Sequence, residues 1–166
     1  MSRYEEISKS YWVFNNSLKS YKGECEDFAR NLLIEFQTYI GENDCIQVKS
    51  GDNAVLLSDR HGIAKSLFLD IETLDFTVTF RINYKHGYGC YKIGFKKVDE
   101  IFIVKLNPPN GPTFKLKTKE IDVAMKKFCS DFYDHIFEYN NNGFYSLVKN
   151  PESAIDNESL RRFFKI

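Results

Sequence analysis

The chain has 166 residues, of which 43% are hydrophobic and 28% charged, the balance of a folded globular chain rather than a disordered or fibrous one. Its 23 basic and 23 acidic side chains cancel, which removes the global field that draws proteins to nucleic acid or to anionic membranes. The longest uninterrupted apolar runs are four residues, far short of the ~20 that cross a bilayer, so no membrane span is expected.

The start of the chain lacks a basic stretch followed by an apolar core of about 7–15 residues, so no signal peptide is expected. Instead Tyr4, Ile7, Tyr11, Phe14, Leu18 and Tyr21 recur at spacings of three and four. Cys25, Phe28, Leu32, Phe36 and Tyr39 continue the series, which reads as one apolar stripe over residues 1–41 on a helix, or on two helices in register. Gly23 is the expected break, because glycine inside a helix costs about 1 kcal/mol relative to alanine. Gly41 stands where C-caps favour glycine. A three-four repeat also suits a coiled-coil dimer, but Asn15-Asn16 and the many aromatics favour packing on a sheet.

Cys45–Lys49 and Ala54–Leu57 read as strands joined by the hairpin loop Ser50-Gly51-Asp52-Asn53. Asp59-Arg60-His61-Gly62 reads as a turn and Lys65–Thr73 as a strand. Phe76–Tyr84 alternates without error: Phe76, Val78, Phe80, Ile82 and Tyr84 point one way, Thr77, Thr79, Arg81 and Asn83 the other. After the turn Lys85–Gly89, strand patterns recur at Cys90–Val98, Ile101–Asn107 and Thr113–Thr118. The prolines of Asn107–Pro112 cannot donate ladder hydrogen bonds, so that segment is a loop.

Beyond it the period changes. Ile121, Met125, Phe128, Phe132, Ile136 and Tyr139 form a helical stripe over 119–139, which Asn140–Gly143 should end; residues 151–166 read as a polar tail or short helix. The expected class is α+β, in one domain: an antiparallel meander sheet or partly closed barrel of six to seven strands over 45–118, preceded by the helical segment and closed by the long C-terminal helix. This order is similar to PH-like barrels and helix-grip folds, a likeness of fold that carries no function.

Charge is segregated along the chain. From Glu24 to Asp75 there are four Lys or Arg against eleven Asp or Glu, net −7; from Phe76 to Lys119 there are nine against two, net +7. Arg81, Lys85, Lys92, Lys96, Lys115 and Lys117 occupy polar positions of successive strands and would form one basic face if the strands pair as a meander. That face either pairs with the acidic half of the same chain or receives an acidic partner.

Candidate catalytic groups are sparse. Arg60-His61-Gly62 resembles the nucleophile motif of histidine phosphatases, but that family sets it in a parallel α/β sheet. Asp70-Ile71-Glu72 resembles the first carboxylate motif of DnaQ-like exonucleases: two acids on one strand face could share a divalent ion, with Asp131, Asp134 and His135 as the available helpers. His86-Gly87-Tyr88-Gly89-Cys90-Tyr91 resembles the glycine–aromatic strand of RNA-recognition domains, with Cys90 where that family uses a ring. Cys25, Cys45, Cys90 and Cys129 lack the paired spacing of a zinc site, so no metal or cofactor is expected and the thiols read as reduced and cytoplasmic. The expectation is therefore a non-enzymatic cytoplasmic module that binds a protein partner, probed first at the basic face, with nucleic acid disfavoured. The alternatives are a helix-capped barrel for a small ligand and a metal-dependent phosphoryl-transfer enzyme using Asp70 and Glu72.

Overall fold

The computed structural model describes residues 2–108, 111–117 and 121–149. Ser2 caps the first helix, α1 (Arg3–Ile40): its Oγ accepts from the Glu5 N–H at 3.3 Å, while Glu5 Oε2 accepts from the Ser2 N–H at 2.6 Å. This reciprocal pair satisfies two donors that a helix start otherwise leaves open. Gly41 ends the helix at φ 77°, its N–H donating to the Gln37 and Thr38 carbonyls.

Between these caps the helix runs 38 residues, ~57 Å, straight through Gly23. The expected break is absent because one glycine costs about 1 kcal/mol, less than the burial of Cys25, Phe28, Leu32 and Phe36 just beyond it returns. A second expectation also fails. The stripe packs on the sheet from Tyr21 onward, whose ring meets Phe76 at 5.9 Å; from Tyr4 to Phe14 it stands in solvent, because α1 is longer than the sheet it covers.

The hairpin of β1 (Ile46–Ser50) and β2 (Asn53–Leu56) forms as expected. Asp59 then starts a short helix, α2 (Arg60–Ser66), where a turn and a strand were expected; its Oδ1 accepts from the Gly62 N–H at 2.9 Å. Only β3 (Phe68–Asp70) remains of the expected Lys65–Thr73 strand. β4 (Asp75–Tyr84), β5 (Gly87–Val98), β6 (Ile101–Leu106) and β7 (Thr113–Lys117) complete one antiparallel sheet in the order β2-β1-β4-β5-β6-β7. One edge of β4 serves two neighbours: Phe80 and Ile82 pair with Val48 and Ile46 of β1, while Phe76 and Thr77 pair with Leu69 and Phe68 of β3. The sheet is open, with β2 and β7 at its edges.

The last helix, α3 (Ile121–Lys149), continues past Asn140, where it was expected to stop. Asn140 is held from the sheet: its Oδ1 accepts from the Tyr91 hydroxyl at 3.1 Å, and that hydroxyl lies 2.6 Å from the Tyr84 hydroxyl. Anchoring of this kind overrides the poor helix propensity of asparagine. The sequence beyond it, 151–166, lies outside the described residues.

Helices α1 and α3 share one face of the sheet. Phe28 stacks on Phe102 at 3.7 Å, Phe36 on Phe132 at 4.3 Å, and Phe132 meets Phe80 edge-on at 5.8 Å. The alternation in β4 thus sorts its residues as expected, with Phe76, Val78, Phe80 and Ile82 all buried. Truncating Phe80 or Phe132 to alanine should cost about 3–5 kcal/mol each. Their double variant should lose less than the sum, because the two rings share one contact. Urea midpoints of the three variants, with unchanged slopes, measure both effects.

Candidate functional site

Because the helices cover only one face, every second residue of the strands faces outward on the uncovered side. Cross-strand register fixes which ones meet. Arg81 on β4 lies opposite Cys90; one pair along, Lys92 on β5 lies opposite Thr79. Lys105 on β6 lies opposite Gly94, and Lys115 on β7 opposite Ile103. Each step moves one strand over and two residues along, so Arg81, Lys92, Lys105 and Lys115 form a diagonal across four adjacent strands. Diagonal neighbours in a sheet stand ~7–8 Å apart.

Within this line Arg81 is the fixed end. Its Nε donates to Gln47 Oε1 at 2.7 Å, and its guanidinium lies 5.4 Å from the centre of the Tyr88 ring. Among the described residues no carboxylate pairs with Lys92, Lys105 or Lys115. Asn107 shapes the ladder's end: its Oδ1 accepts from the Lys92 N–H at 3.0 Å and its own N–H donates to the Lys92 carbonyl at 2.7 Å. Pro108 then lies over Gly94, where an added Cβ would sit 3.3 Å from the proline ring. The side chains of Lys92 and Lys105 flank this small step.

Of the basic residues singled out from sequence, Arg81, Lys92, Lys96, Lys115 and Lys117 share the outer face, and Lys85 sits in the β4–β5 turn beside it. Lys96, which stands off the diagonal, pairs with Asp75 at 3.7 Å, and Lys97, on the inner phase, pairs with Glu24. The acidic half of the chain therefore neutralises two lysines at one end of β5 and leaves the diagonal untouched. Lys105 and Lys49 also face outward and were missed. In Ile101–Leu106 both phases are apolar up to Lys105, so no alternation marked it; parity from Phe102, Val104 and Leu106 would have found it.

The other candidates disperse. Asp70 and Glu72 do not share a strand face: β3 ends at Asp70, whose Oδ1 accepts from the Glu72 N–H at 2.9 Å and the Thr73 N–H at 3.4 Å, shaping the turn to β4. His61 is exposed in α2, beside an antiparallel rather than a parallel sheet. Of the two rings in the glycine–aromatic segment, Tyr91 is buried on the inner face and bonded to Asn140, while Tyr88 is exposed on the outer face against Arg81. His135 Nε2 is enclosed on α3 with no hydrogen-bond partner among the described residues. No three His, Cys, Asp or Glu side chains among the described residues are grouped to hold a metal. No helix among them is long and apolar enough to cross a membrane.

The four cysteines are free. Burial pushes the Cys25 thiol up to about 11 and the Cys129 thiol up to about 12, and it raises Cys45 as well. Such thiols are poor nucleophiles at neutral pH. No protein-family model, curated protein or solved structure matches this chain.

Two outcomes follow from the thiols. At about pH 8 a disulfide reagent such as Ellman's should modify Cys90, which is half-buried on the outer face, and reach Cys25, Cys45 and Cys129 only after denaturant is added. Because the folded values of Cys25 and Cys129 lie above the unfolded one, their stabilisation is complete below about pH 9 and is lost as pH rises toward about 11 and 12. Urea midpoints should therefore hold level to about pH 8 and fall above it, less steeply in a Cys129→Ser variant.

Proposed function

We propose that this chain is a non-enzymatic binding module that receives an acidic protein segment on the outer face of its sheet. The observation that carries the proposal is the diagonal Arg81–Lys92–Lys105–Lys115, of which three members have no carboxylate partner among the described residues. An extended peptide places every second side chain on one side at ~6.6–6.8 Å intervals, close to the ~7–8 Å step of the diagonal. Acidic residues at alternate positions would meet the cations one to one.

Single-stranded nucleic acid is the weaker occupant. Its binding depends on rings that stack on bases; along the diagonal the outward neighbours are Thr79, Cys90, Gly94, Ile103 and Thr113, and of the exposed rings on this face Tyr88 is engaged by the Arg81 guanidinium and Phe68 stands on β3, away from the lysines of the diagonal. Among the described residues no three His, Cys, Asp or Glu are grouped to hold a metal, which disfavours the phosphoryl-transfer reading, and a barrel-type ligand reading lacks the closed sheet it assumes. The four free thiols suit a reducing compartment, which supports a cytoplasmic setting.

Charge of this kind acts mainly on encounter and is screened over about 8 Å at physiological salt. A labelled peptide of about twenty residues with glutamate at alternate positions should bind in fluorescence anisotropy, and binding should weaken steeply between about 50 and 200 mM salt. The Lys92→Glu/Lys105→Glu/Lys115→Glu variant should lose at least about tenfold in affinity and flatten the salt dependence while its melting temperature stays within about 2 °C, because exposed charges contribute little to stability. Equal binding by the variant sinks the proposal. So does a wild-type preference for a single-stranded oligonucleotide over the peptide, or a destabilised variant with unaltered association.

A further inference from the structure

From Tyr4 to Phe14 the apolar stripe of α1 covers nothing in this chain. Tyr4, Tyr11 and Phe14 are 79%, 66% and 57% exposed, far above what large rings in a folded chain need to be. We infer that two copies of this chain pair through an antiparallel coiled coil formed by the free halves of their α1 helices, with Tyr4, Ile7, Tyr11, Phe14, Leu18 and Tyr21 as the seam.

Tyr4, Ile7, Tyr11, Phe14, Leu18 and Tyr21 keep the three-four repeat of a coiled-coil seam, with Trp12 and Val13 exposed beside it. It is also continuous with the buried stripe Cys25–Phe28–Leu32, so seam and sheet lie on the same side of α1. That continuity decides the direction. In a parallel pair the second helix would run on beside residues 25–36, where the chain's own sheet already sits. An antiparallel pair has no such conflict, because the second helix leaves in the opposite direction.

One antiparallel register fills every seam position. Ile7 meets Leu18 of the other copy, Tyr11 meets Phe14, and Tyr4 meets the outer edge of Tyr21, whose inner side packs on Phe76 of its own chain; two-fold symmetry then repeats the three pairs. The flanking positions agree with self-pairing: Ser8 lies opposite Asn15, Ser10 opposite Ser17, and Arg3 opposite Glu24 of the other copy. No like charges meet, and the one charged pair is of opposite sign.

The same register brings the capped start of each α1 to the place where the other copy's sheet begins. That place holds an open cleft of about 370 Å³ lined by Ser17, Ser20, Tyr21, Glu24, Lys97 and Asp99.

Six seam residues from each copy, at roughly 100 Å² apiece, bury about 1,200 Å², the lower end of a specific interface. A membrane surface fits less well. From Arg3 to Lys22 the helix carries Arg3, Lys9, Lys19 and Lys22 against Glu5 and Glu6, short of the strongly basic polar face of helices that lie on anionic lipid.

Sedimentation equilibrium of the full chain at about 1–100 μM should show a monomer–dimer equilibrium. The Tyr11→Glu/Phe14→Glu variant should be monomeric throughout that range with an unchanged urea midpoint, since neither side chain touches the core. In a Cys90→Ser background, Ile7→Cys protein mixed with Leu18→Cys protein should cross-link under mild oxidation, and Ile7→Cys alone should not, since like positions would stand about 16 Å apart along the axis. A wild-type monomer at about 100 μM, a dimer that survives the double variant, or rapid self-cross-linking of Ile7→Cys each overturns the inference. So does a monomer that instead co-sediments with phosphatidylserine-containing vesicles.

Discussion

The contact on which the rest of this structure depends is the layer of rings between one face of the sheet and two helices. Phe28 against Phe102, Phe36 against Phe132, and Phe132 against Phe80 join α1, α3 and the central strands in one continuous core. Each ring buries on the order of 150–250 Å², so a few such contacts outweigh local preferences that point elsewhere. The uninterrupted course of α1 through Gly23 and of α3 past Asn140 both follow from this. In each case the helix is held by what it packs against, not by the residues at the doubtful position.

One-sided packing also explains why the other face is free to carry charge. An antiparallel sheet can bury one face and leave the other wet, and the alternation in β4 and β5 divides the two sets cleanly. The core then tolerates any polar pattern outside, and the pattern present is a cationic diagonal. Its spacing comes from sheet geometry alone: two residues per step along the strands and one strand per step across. The lysines nearest the acidic half, Lys96 and Lys97, are tied locally to Asp75 and Glu24. Attraction between the two halves of the chain is therefore real but confined to one end of β5.

The molecule thus separates three jobs in space. The ring layer holds the fold, the outer sheet face offers charge, and the protruding part of α1 offers apolar surface. None of the outward lysines of the diagonal and none of the exposed rings from Tyr4 to Phe14 belongs to the core. Changes at either surface can alter recognition while stability stays near its original value, and changes in the ring layer do the reverse.

Much of this was written in local pattern. Alternation over Phe76–Tyr84 placed the central strand and its buried face, the loop residues Ser50–Asn53 placed the first hairpin, and Gly41 placed the end of α1, because each depends on neighbours a few residues away. What failed were features set by distant contacts. Lys65 and Ser66 read as strand because a helix of seven residues is too short to show a period, and the Asp59 cap that starts it is visible only once formed. Asp70 and Glu72 read as a shared strand face because nothing local announces that β3 ends after three residues. Lys105 was overlooked because a strand with apolar residues on both phases hides its outward member until pairing assigns the faces. The same stripe, Tyr4 to Phe36, was read as uniformly buried, whereas the size of the sheet decides where burial stops. Sequence determined which residues alternate and which are apolar; tertiary structure alone decided which cations share a diagonal and how much of α1 the sheet can cover, because register and layer size are properties of paired elements and not of any one of them.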